Sequence, residues 1–253
     1  ETEILSGVSD DSISVYIGIP FCPSKCLYCS FVSSDLRTGK KYVDEYVRLL
    51  YKEIEKTAEV IKKLGFYIEN IYIGGGTPTS ISNEQLRAVL SSVKKYFDLS
   101  KIKEYTLEAG RADTITREKL ETAKAFGVDR ISINPQTMND ITLERVGRRH
   151  SAQMVRDTFL LARDVGFDNI NMDLIAGLPG ENFDMFKYSL DEVVELDPED
   201  VTVHSLCIKR AAAFRFSDYD LTDSDEMNKM LDYTQMRMRE TNRSPYYMYR
   251  QKN

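Results

Sequence analysis

The chain alternates apolar strand-like segments with longer helix-like segments six times, and this order constrains its fold more than any other feature. The strand-like segments are short and rich in β-branched residues, whereas the helix-like segments carry apolar residues at a 3.6-residue period. The predicted strands span 13–19, 70–73, 104–109, 129–134, 169–175 and 201–208. The predicted helices span 41–64, 83–97, 116–126, 151–165, 182–196 and 224–241. Such alternation predicts a parallel sheet covered by helices.

Two architectures fit this order, a doubly wound open sheet and a barrel. Residues suited to binding follow or end most of the predicted strands; they are a cysteine loop, the glycines at 74–76, Glu108, Gln136 and Asp173. A doubly wound sheet uses only the strand ends at its switch point, whereas a barrel gathers all carboxyl strand ends at one mouth. The sequence therefore favours an incomplete (β/α)6 barrel, an α/β fold with six units in place of eight.

Composition and charge argue against several classes of protein. With 42% hydrophobic and 29% charged residues, the chain has ordinary globular composition. Its formal net charge is −6 and it has no long basic block, so we expect no nucleic-acid partner. No signal peptide and no run of eighteen apolar residues occur, so we expect a cytoplasmic protein without a membrane span. Only two histidines occur, which excludes a histidine-rich metal site.

Both ends of the chain are unusual for a complete domain. The sequence begins without methionine, and its last residues are rich in tyrosine without a helix stop. We therefore expect 1–253 to be a core domain excised from a longer chain.

Three of the four cysteines, Cys22, Cys26 and Cys29, lie within one short loop after the first predicted strand. Structural zinc sites use four protein ligands, which three thiolates cannot supply. Cysteine thiolates do bind iron–sulfur clusters, and three of them would leave one iron of a [4Fe–4S] cube without a protein ligand. The alternative is a set of ordinary free or disulfide-bonded cysteines, a pattern that suits small secreted proteins better than this chain.

This spacing, with Tyr28 directly before the last cysteine, resembles the radical S-adenosylmethionine (SAM) superfamily. The resemblance implies two cofactors, a [4Fe–4S] cluster on the three cysteines and SAM on the open iron. It implies that reductive cleavage of SAM gives a 5′-deoxyadenosyl radical, which takes a hydrogen atom from the substrate. The family's fold is also an incomplete (β/α)6 barrel.

The glycine run that includes Gly75 and Gly76, followed by Thr77, lies between a predicted strand and a helix. It lacks the Lys-Ser/Thr pair of a P-loop. It resembles the family's glycine motif, which binds the amino group of SAM, but a tight strand-to-helix turn is an equal alternative. Tyr16 and Tyr28 are further predicted cofactor contacts.

Polar residues at three later strand ends complete the predicted cofactor site. The resemblance assigns Glu108 to the ribose diol of SAM, and Gln136 suits a ribose or carboxylate contact. A solvated acid and a turn residue are the respective alternatives. Asp173 interrupts an apolar strand, and such a charge is rarely buried unpaired, so we expect it at the barrel mouth.

A basic segment supplies a candidate for the carboxylate of SAM. A guanidinium fits a carboxylate, and alignment with the family motif favours Arg148, although spacing alone leaves Arg145 and Arg149 open. A solvated basic cluster is the alternative. His204 and Cys207 are predicted to be core groups and not ligands.

Within the superfamily, segments 16–22 and 176–180 resemble the oxygen-independent coproporphyrinogen III oxidase group, and segment 246–253 resembles its HemZ branch. That resemblance implies oxidative decarboxylation of coproporphyrinogen III to protoporphyrinogen IX. Its partners would be a porphyrinogen substrate, a flavodoxin- or ferredoxin-type electron donor and an unknown electron acceptor. Two residues depart from the characterised oxidases, Gly18 in place of histidine and Ser30 in place of a further cysteine.

Three functions therefore remain open from the sequence. They are a decarboxylating oxidase, a heme chaperone on the same scaffold, and an iron–sulfur electron carrier. The nucleotide-pocket residues argue against the carrier, which would need no such pocket.

Overall fold

Six parallel strands form one open sheet in the computed structural model, which describes residues 10–31, 34–207, 212 and 222–245. The strands lie in the sheet in chain order, each hydrogen-bonded to the next. They are β1 (Ser12–Ile19), β2 (Tyr67–Gly75), β3 (Glu104–Gly110), β4 (Arg130–Gln136), β5 (Ile170–Ala176) and β6 (Asp200–Ser205). Because the strands are parallel, all their carboxyl ends meet at one edge of the sheet.

Helices follow the strands and cover one face of the sheet. They are α1 (Val43–Leu64), α2 (Asn83–Tyr96), α3 (Arg117–Ala125), α4 (Asp140–Arg145), α5 (Ala152–Val165), α6 (Phe183–Glu195) and α7 (Ser224–Glu240). Ser82 begins α2 with a capping box to Gln85, and Gly65 ends α1 in the left-handed conformation. Local capping chemistry therefore fixes where these helices start and stop.

Alternate side chains of each strand lie on opposite faces of the sheet, and only one of these faces packs against the helices. On β1 and β2, the residues Ile17, Ile19, Ile71 and Ile73 are buried in the core between sheet and helices. The side chains that alternate with them point to the opposite face, as the two-residue period of a strand requires. The sheet curves into a half-barrel with that second face inside, which confirms the incomplete (β/α)6 barrel.

Some element boundaries differ from the prediction. β2 spans nine residues where only 70–73 was predicted, because backbone pairing with β1 continues past the apolar centre of the strand. α4 and a two-residue parallel pair between Phe21–Cys22 and Ser34–Asp35 were not predicted, since elements this short show no period. β6 ends at Ser205, and residue 208 and segment 246–253 lie outside the described residues.

None of the helices in the described ranges combines the length and the apolarity that a bilayer crossing requires.

Candidate active site

A cavity of about 520 Å³ opens at the carboxyl ends of the strands. Its volume falls in the range of small-molecule sites, about 300–1,000 Å³. The structure places all twelve residues predicted for the site on its lining: Tyr16, Cys22, Cys26, Tyr28, Cys29, Gly75, Gly76, Thr77, Glu108, Gln136, Arg148 and Asp173. The barrel argument predicted this convergence. What each residue binds stays a prediction.

The glycine run at the end of β2 packs against the start of the cysteine loop. The Gly76 N–H donates to the Ile19 carbonyl at 2.9 Å, and the Thr77 N–H donates to the Phe21 carbonyl at 2.8 Å. The Thr77 hydroxyl lies 3.5 Å from the Cys22 Sγ and donates to it. A Cβ atom on Gly76 would lie only 2.9 Å from that sulfur. Glycine at this position therefore lets the loop sit directly on the sheet.

The three thiols share this cavity without forming a site for a single metal ion. No group of three His, Cys, Asp or Glu side chains in the described part of the chain converges on one ion position. None of the four cysteines forms a disulfide. Ligands of one zinc ion must all lie about 2.3 Å from a common point, whereas the ligands of a cube bind different irons. The described thiols therefore form no zinc site as they stand, and a [4Fe–4S] cluster held by them stays a prediction.

Arg148 joins the cysteine loop to the end of β4. Its Nε donates to the Tyr28 hydroxyl at 3.1 Å, and its Nη1 donates to the Asn134 carbonyl at 2.7 Å. Of the other two arginines that the spacing left open, Arg145 donates to the Pro179 carbonyl at 2.8 Å and Arg149 is exposed. Neither of those two lines the cavity. Arg148 is therefore the one of the three whose guanidinium can meet a ligand carboxylate there.

Two carboxyl groups from different strands, those of Glu108 and Asp173, line the same cavity. The Gly75 N–H donates to Glu108 Oε2 at 3.3 Å, and the Asn171 amide donates to Asp173 Oδ1 at 2.7 Å. Burial, together with the charge of Asp173, raises the pKa of Glu108 to about 7. Burial also raises the pKa of Asp173. The site thus holds two partly buried carboxyl groups with raised pKa values, whose oxygens can accept bonds from a ligand's hydroxyl groups.

The raised pKa of Glu108 predicts a pH-dependent stability. The folded protein binds this proton more tightly than the unfolded chain, so the stabilisation is complete below the ordinary value of 4.5 and is lost as the pH rises through about 7. Glu108→Gln should therefore melt at a higher temperature than the wild type at about pH 8, by roughly 2–4 °C for each kcal/mol. At about pH 4, below the ordinary value of 4.5, the difference should largely vanish. Calorimetry of the apoprotein at both pH values checks this, and equal differences at the two would contradict it.

The wall beside these carboxylates is aromatic and amide-rich. The rings of Tyr16 and Tyr72 stack with centroids 5.9 Å apart and planes within 10°. Gln136 is buried with a φ of 69°, which is unusual for a residue other than glycine. The buried Asn134 Oδ1 has no hydrogen-bond partner within the described residues. An unpaired acceptor and strained backbone at a cavity wall fit a site completed by a polar ligand.

The prediction that His204 and Cys207 are core groups is wrong. His204 is exposed, Cys207 is partly exposed, and both line the same cavity. The physical reason is that β6 is the last strand of the described sheet, so the residues at its carboxyl end lie at the open side of the half-barrel and not in its core.

Sequence reasoning also missed several residues of the cavity wall, including Ser24, Tyr72, Arg111 and Asn134. Tyr72 lies two residues before Gly74, on the same face of β2, so the period of two could have identified it. Asn134 could not be found in this way, because the register of β4 shifts between Ile133 and Gln136.

Comparisons with known proteins agree with this site. Residues 16–193 match the model of the radical SAM superfamily. The chain belongs to the radical SAM superfamily. Members of this superfamily use a [4Fe–4S] cluster and SAM, the two cofactors that the cysteine loop and the cavity were predicted to bind.

Two curated relatives from Bacillus subtilis carry different functional names. The chain is 42% identical over 246 residues to the oxygen-independent coproporphyrinogen-III oxidase-like protein HemZ, covering 96% of this chain and 49% of HemZ. It is 38% identical over 203 residues to the heme chaperone HemW, covering 79% of this chain and 52% of HemW. The chain therefore spans about half the length of each of these relatives.

A solved structure supports the same group. The coproporphyrinogen III oxidase HemN from Escherichia coli, described as a radical SAM enzyme, superimposes with a TM-score of 0.80 at 26% identity. The match covers 91% of this chain and 52% of HemN. The fold and the family are thus shared with proteins named for porphyrin and heme chemistry.

Proposed function

We propose that this chain carries the radical SAM chemistry of an oxidoreductase that decarboxylates coproporphyrinogen III to protoporphyrinogen IX in heme biosynthesis. The observation that carries the proposal is the convergence of three thiols, Arg148 and two carboxyl groups on one cavity. The similarity to HemZ and HemN supports the porphyrinogen substrate. We place the protein in the cytoplasm, where reducing conditions keep thiols reduced.

Cys22, Cys26 and Cys29 would hold the cluster, and the opposite side of the cavity would hold SAM. Bound there together, the two cofactors would supply the radical chemistry that removes a hydrogen atom from the β-carbon of a substrate propionate. Loss of CO2 would then leave one electron for an electron acceptor.

The chain's own residues position the nucleoside and its methionine moiety. Arg148, already fixed by two hydrogen bonds, offers its remaining N–H groups to the methionyl carboxylate. Glu108 and Asp173 accept hydrogen bonds from ribose hydroxyls, which is favourable because both acids lie partly buried in the cavity wall. Tyr16 and Tyr28 offer aromatic surfaces to flat heterocycles.

A heme chaperone on the same scaffold is the second candidate. The 38% identity to HemW favours it, as do Gly18 and Ser30, which depart from the characterised oxidases. The two functions share the cofactors and differ in whether the tetrapyrrole is converted or only bound.

Anaerobic incubation with coproporphyrinogen III, SAM and a reductant separates the two candidates. The oxidase predicts products that have lost one or two carboxyl groups by mass spectrometry, with one 5′-deoxyadenosine formed for each carboxyl group lost. The matched control is Cys26→Ala, which should form neither product. Tight heme binding with no conversion of coproporphyrinogen III would instead identify a chaperone.

The electron donor should dock beside the cysteine loop. Lys25, inside the loop, and Arg149, next to Arg148, are both exposed cations although the chain is acidic overall. We expect Lys25→Glu/Arg149→Glu to slow cluster reduction by an acidic flavodoxin on the order of tenfold at low salt, because steering by opposite charges is lost. Reduction by the methyl viologen radical cation should not slow.

The matched control for this experiment is Lys62→Glu/Lys63→Glu, which makes the same change in net charge. Both lysines are exposed at the end of α1, away from the carboxyl ends of the strands. This variant should be reduced at the wild-type rate. Equal slowing in the two double variants would show that net charge alone matters and that no docking surface lies at the loop.

A further inference from the structure

Arg111 is a buried cation at the end of β3 that the function described above leaves unexplained. Its residue surface is only 2% exposed. Gly110, with a φ of 67°, turns the chain at the strand end and brings the arginine side chain beneath the cysteine loop. Burying a guanidinium is costly unless it is paired and hydrogen-bonded, so its contacts show what the fold gains from it.

Four hydrogen bonds hold this guanidinium between the sheet and the cysteine loop. Nη1 donates to the Ser24 carbonyl at 3.2 Å and to the Ser24 hydroxyl at 2.9 Å. Nε and Nη2 donate to the two oxygens of Asp113 at 3.0 and 2.9 Å. Ser24 lies between Cys22 and Cys26 in the sequence, and its hydroxyl donates onward to the Gly147 carbonyl at 3.2 Å. Arg111 is thus bonded to the part of the loop that joins two of the three thiols.

Asp113 is the counterion of this arginine and is itself held in the charged form. Burial works against the charge, but the imidazole of His150, 3.9 Å away, and the hydrogen bonds and charge of Arg111 outweigh it and keep the pKa of Asp113 below its usual range. The Arg111 guanidinium touches the loop, and Asp113 lies on the far side of it. The loop therefore meets the positive end of a buried ion pair.

We propose that Arg111 is a positioning residue that fixes the cysteine loop and, through its charge, raises the reduction potential of the cluster held there. This inference rests on the proposed cluster site and deepens it. A cluster bound by three thiolates becomes more negative when it is reduced. A nearby cation stabilises the reduced form more than the oxidised form, and a low-dielectric interior strengthens that effect. Asp113 opposes the effect from a greater distance.

Opposite charge changes at the two residues give the test. Arg111→Met removes the cation and should shift the cluster's potential to more negative values, as measured by a redox titration followed by electron paramagnetic resonance. Asp113→Asn removes the counterion and should shift the potential to more positive values. The double variant should return toward the wild type. If the two residues only stabilised the fold, their variants would not shift the cluster's potential in opposite directions. Shifts of the potential with the same sign in both single variants would therefore overturn the proposal.

A second measurement covers the case in which Arg111→Met folds poorly. Arg111→Lys keeps the positive charge. An ammonium group lacks the planar fork of a guanidinium, however, and cannot bond Ser24 and both oxygens of Asp113 at once. We expect it to keep a near-wild-type potential, while the thiols of the apoprotein react several-fold faster with iodoacetamide. A potential as negative as that of Arg111→Met would overturn the assigned role of the charge. Alkylation at the wild-type rate would overturn the positioning role.

The same experiments separate this proposal from the function on which it rests. Iron and sulfide are measured first in the reconstituted wild type. A wild type that binds no cluster would refute the proposed function, and with it this inference. A wild type that binds the cluster while all Arg111 and Asp113 variants keep its potential would refute the inference alone.

Discussion

Replacing any one of Cys22, Cys26 and Cys29 with alanine should abolish the iron–sulfur cluster, whereas Cys207→Ala should leave it intact. Reconstituted wild type should contain about four irons and four sulfides per chain, the composition of a cube. Each of the three variants should fall to near zero and should form no 5′-deoxyadenosine. The physical reason is that one iron of such a cube already lacks a protein thiolate. The cube cannot stay bound when a second iron loses its thiolate ligand as well.

Cys207→Ala is an informative control because Cys207 lines the same cavity as the three loop cysteines. Iron and sulfide analysis after anaerobic gel filtration measures the outcome, and electron paramagnetic resonance of the reduced protein checks the type of cluster. Loss of the cluster in the Cys207 variant would show that the fourth cysteine is a ligand. The open iron would then have to be assigned again.

Gly76→Ala should destabilise the protein and strip it of cluster, because the loop has no room for a methyl group there. The added Cβ would lie 2.7 Å from the Phe21 carbonyl oxygen and 2.9 Å from the Cys22 sulfur. Forcing an atom into a close-packed contact costs about 1–3 kcal/mol. Denaturant unfolding of the apoprotein should show that loss, and bound iron should fall several-fold.

Gly18→Ala is the matched control for this substitution. Gly18 lies on β1 opposite Gly74 on β2, and an added Cβ would meet only the Tyr16 ring at 3.6 Å, an ordinary contact. This variant should keep wild-type stability and iron content. If Gly76→Ala binds as much iron as Gly18→Ala, the glycine run does not limit how the loop packs on the sheet.

The structure also changes the interpretation of Gly75. If Gly75 served only to let a ligand approach, a side chain there would block the ligand directly. A Cβ on Gly75 would instead lie 3.1 Å from backbone atoms of Ile19, and the residue has a φ of 117°. Substitution at this position would therefore distort the end of β2 before it obstructs a ligand.

Most of the fold and much of the site could be predicted because they depend on local pattern. α1 was clear from Val43, Val47, Leu50 and Ile54, which are buried at helical spacing. The parallel strands then place their carboxyl ends at one edge, so residues far apart in sequence had to meet. Glu108 and Asp173 are 65 positions apart, yet both line the cavity.

Other parts could not be predicted because they depend on contacts that no local pattern records. Arg111 and Ser24 are separated by 87 positions, and each alone is an ordinary polar residue near a loop. His204 was taken for a core group because the sequence does not show that β6 lies at an edge of the sheet. The spacing alone could not distinguish Arg148 from Arg145 and Arg149. The family resemblance favoured Arg148, and the structure places only that one of the three on the cavity wall.

The two outer strands of the half-barrel have a mechanical consequence. β1 and β6 do not pair with each other in the described sheet. In a closed barrel, strand number and shear fix the diameter, but an open arc has no such constraint. A small change in twist between neighbouring strands can move the wall at His204 outward and leave the sheet's hydrogen bonds unbroken. The thiols, anchored beside β1 and β2, would stay where they are. The width of the cavity available to a substrate is therefore an adjustable property of this scaffold, independent of the geometry at the cysteine loop.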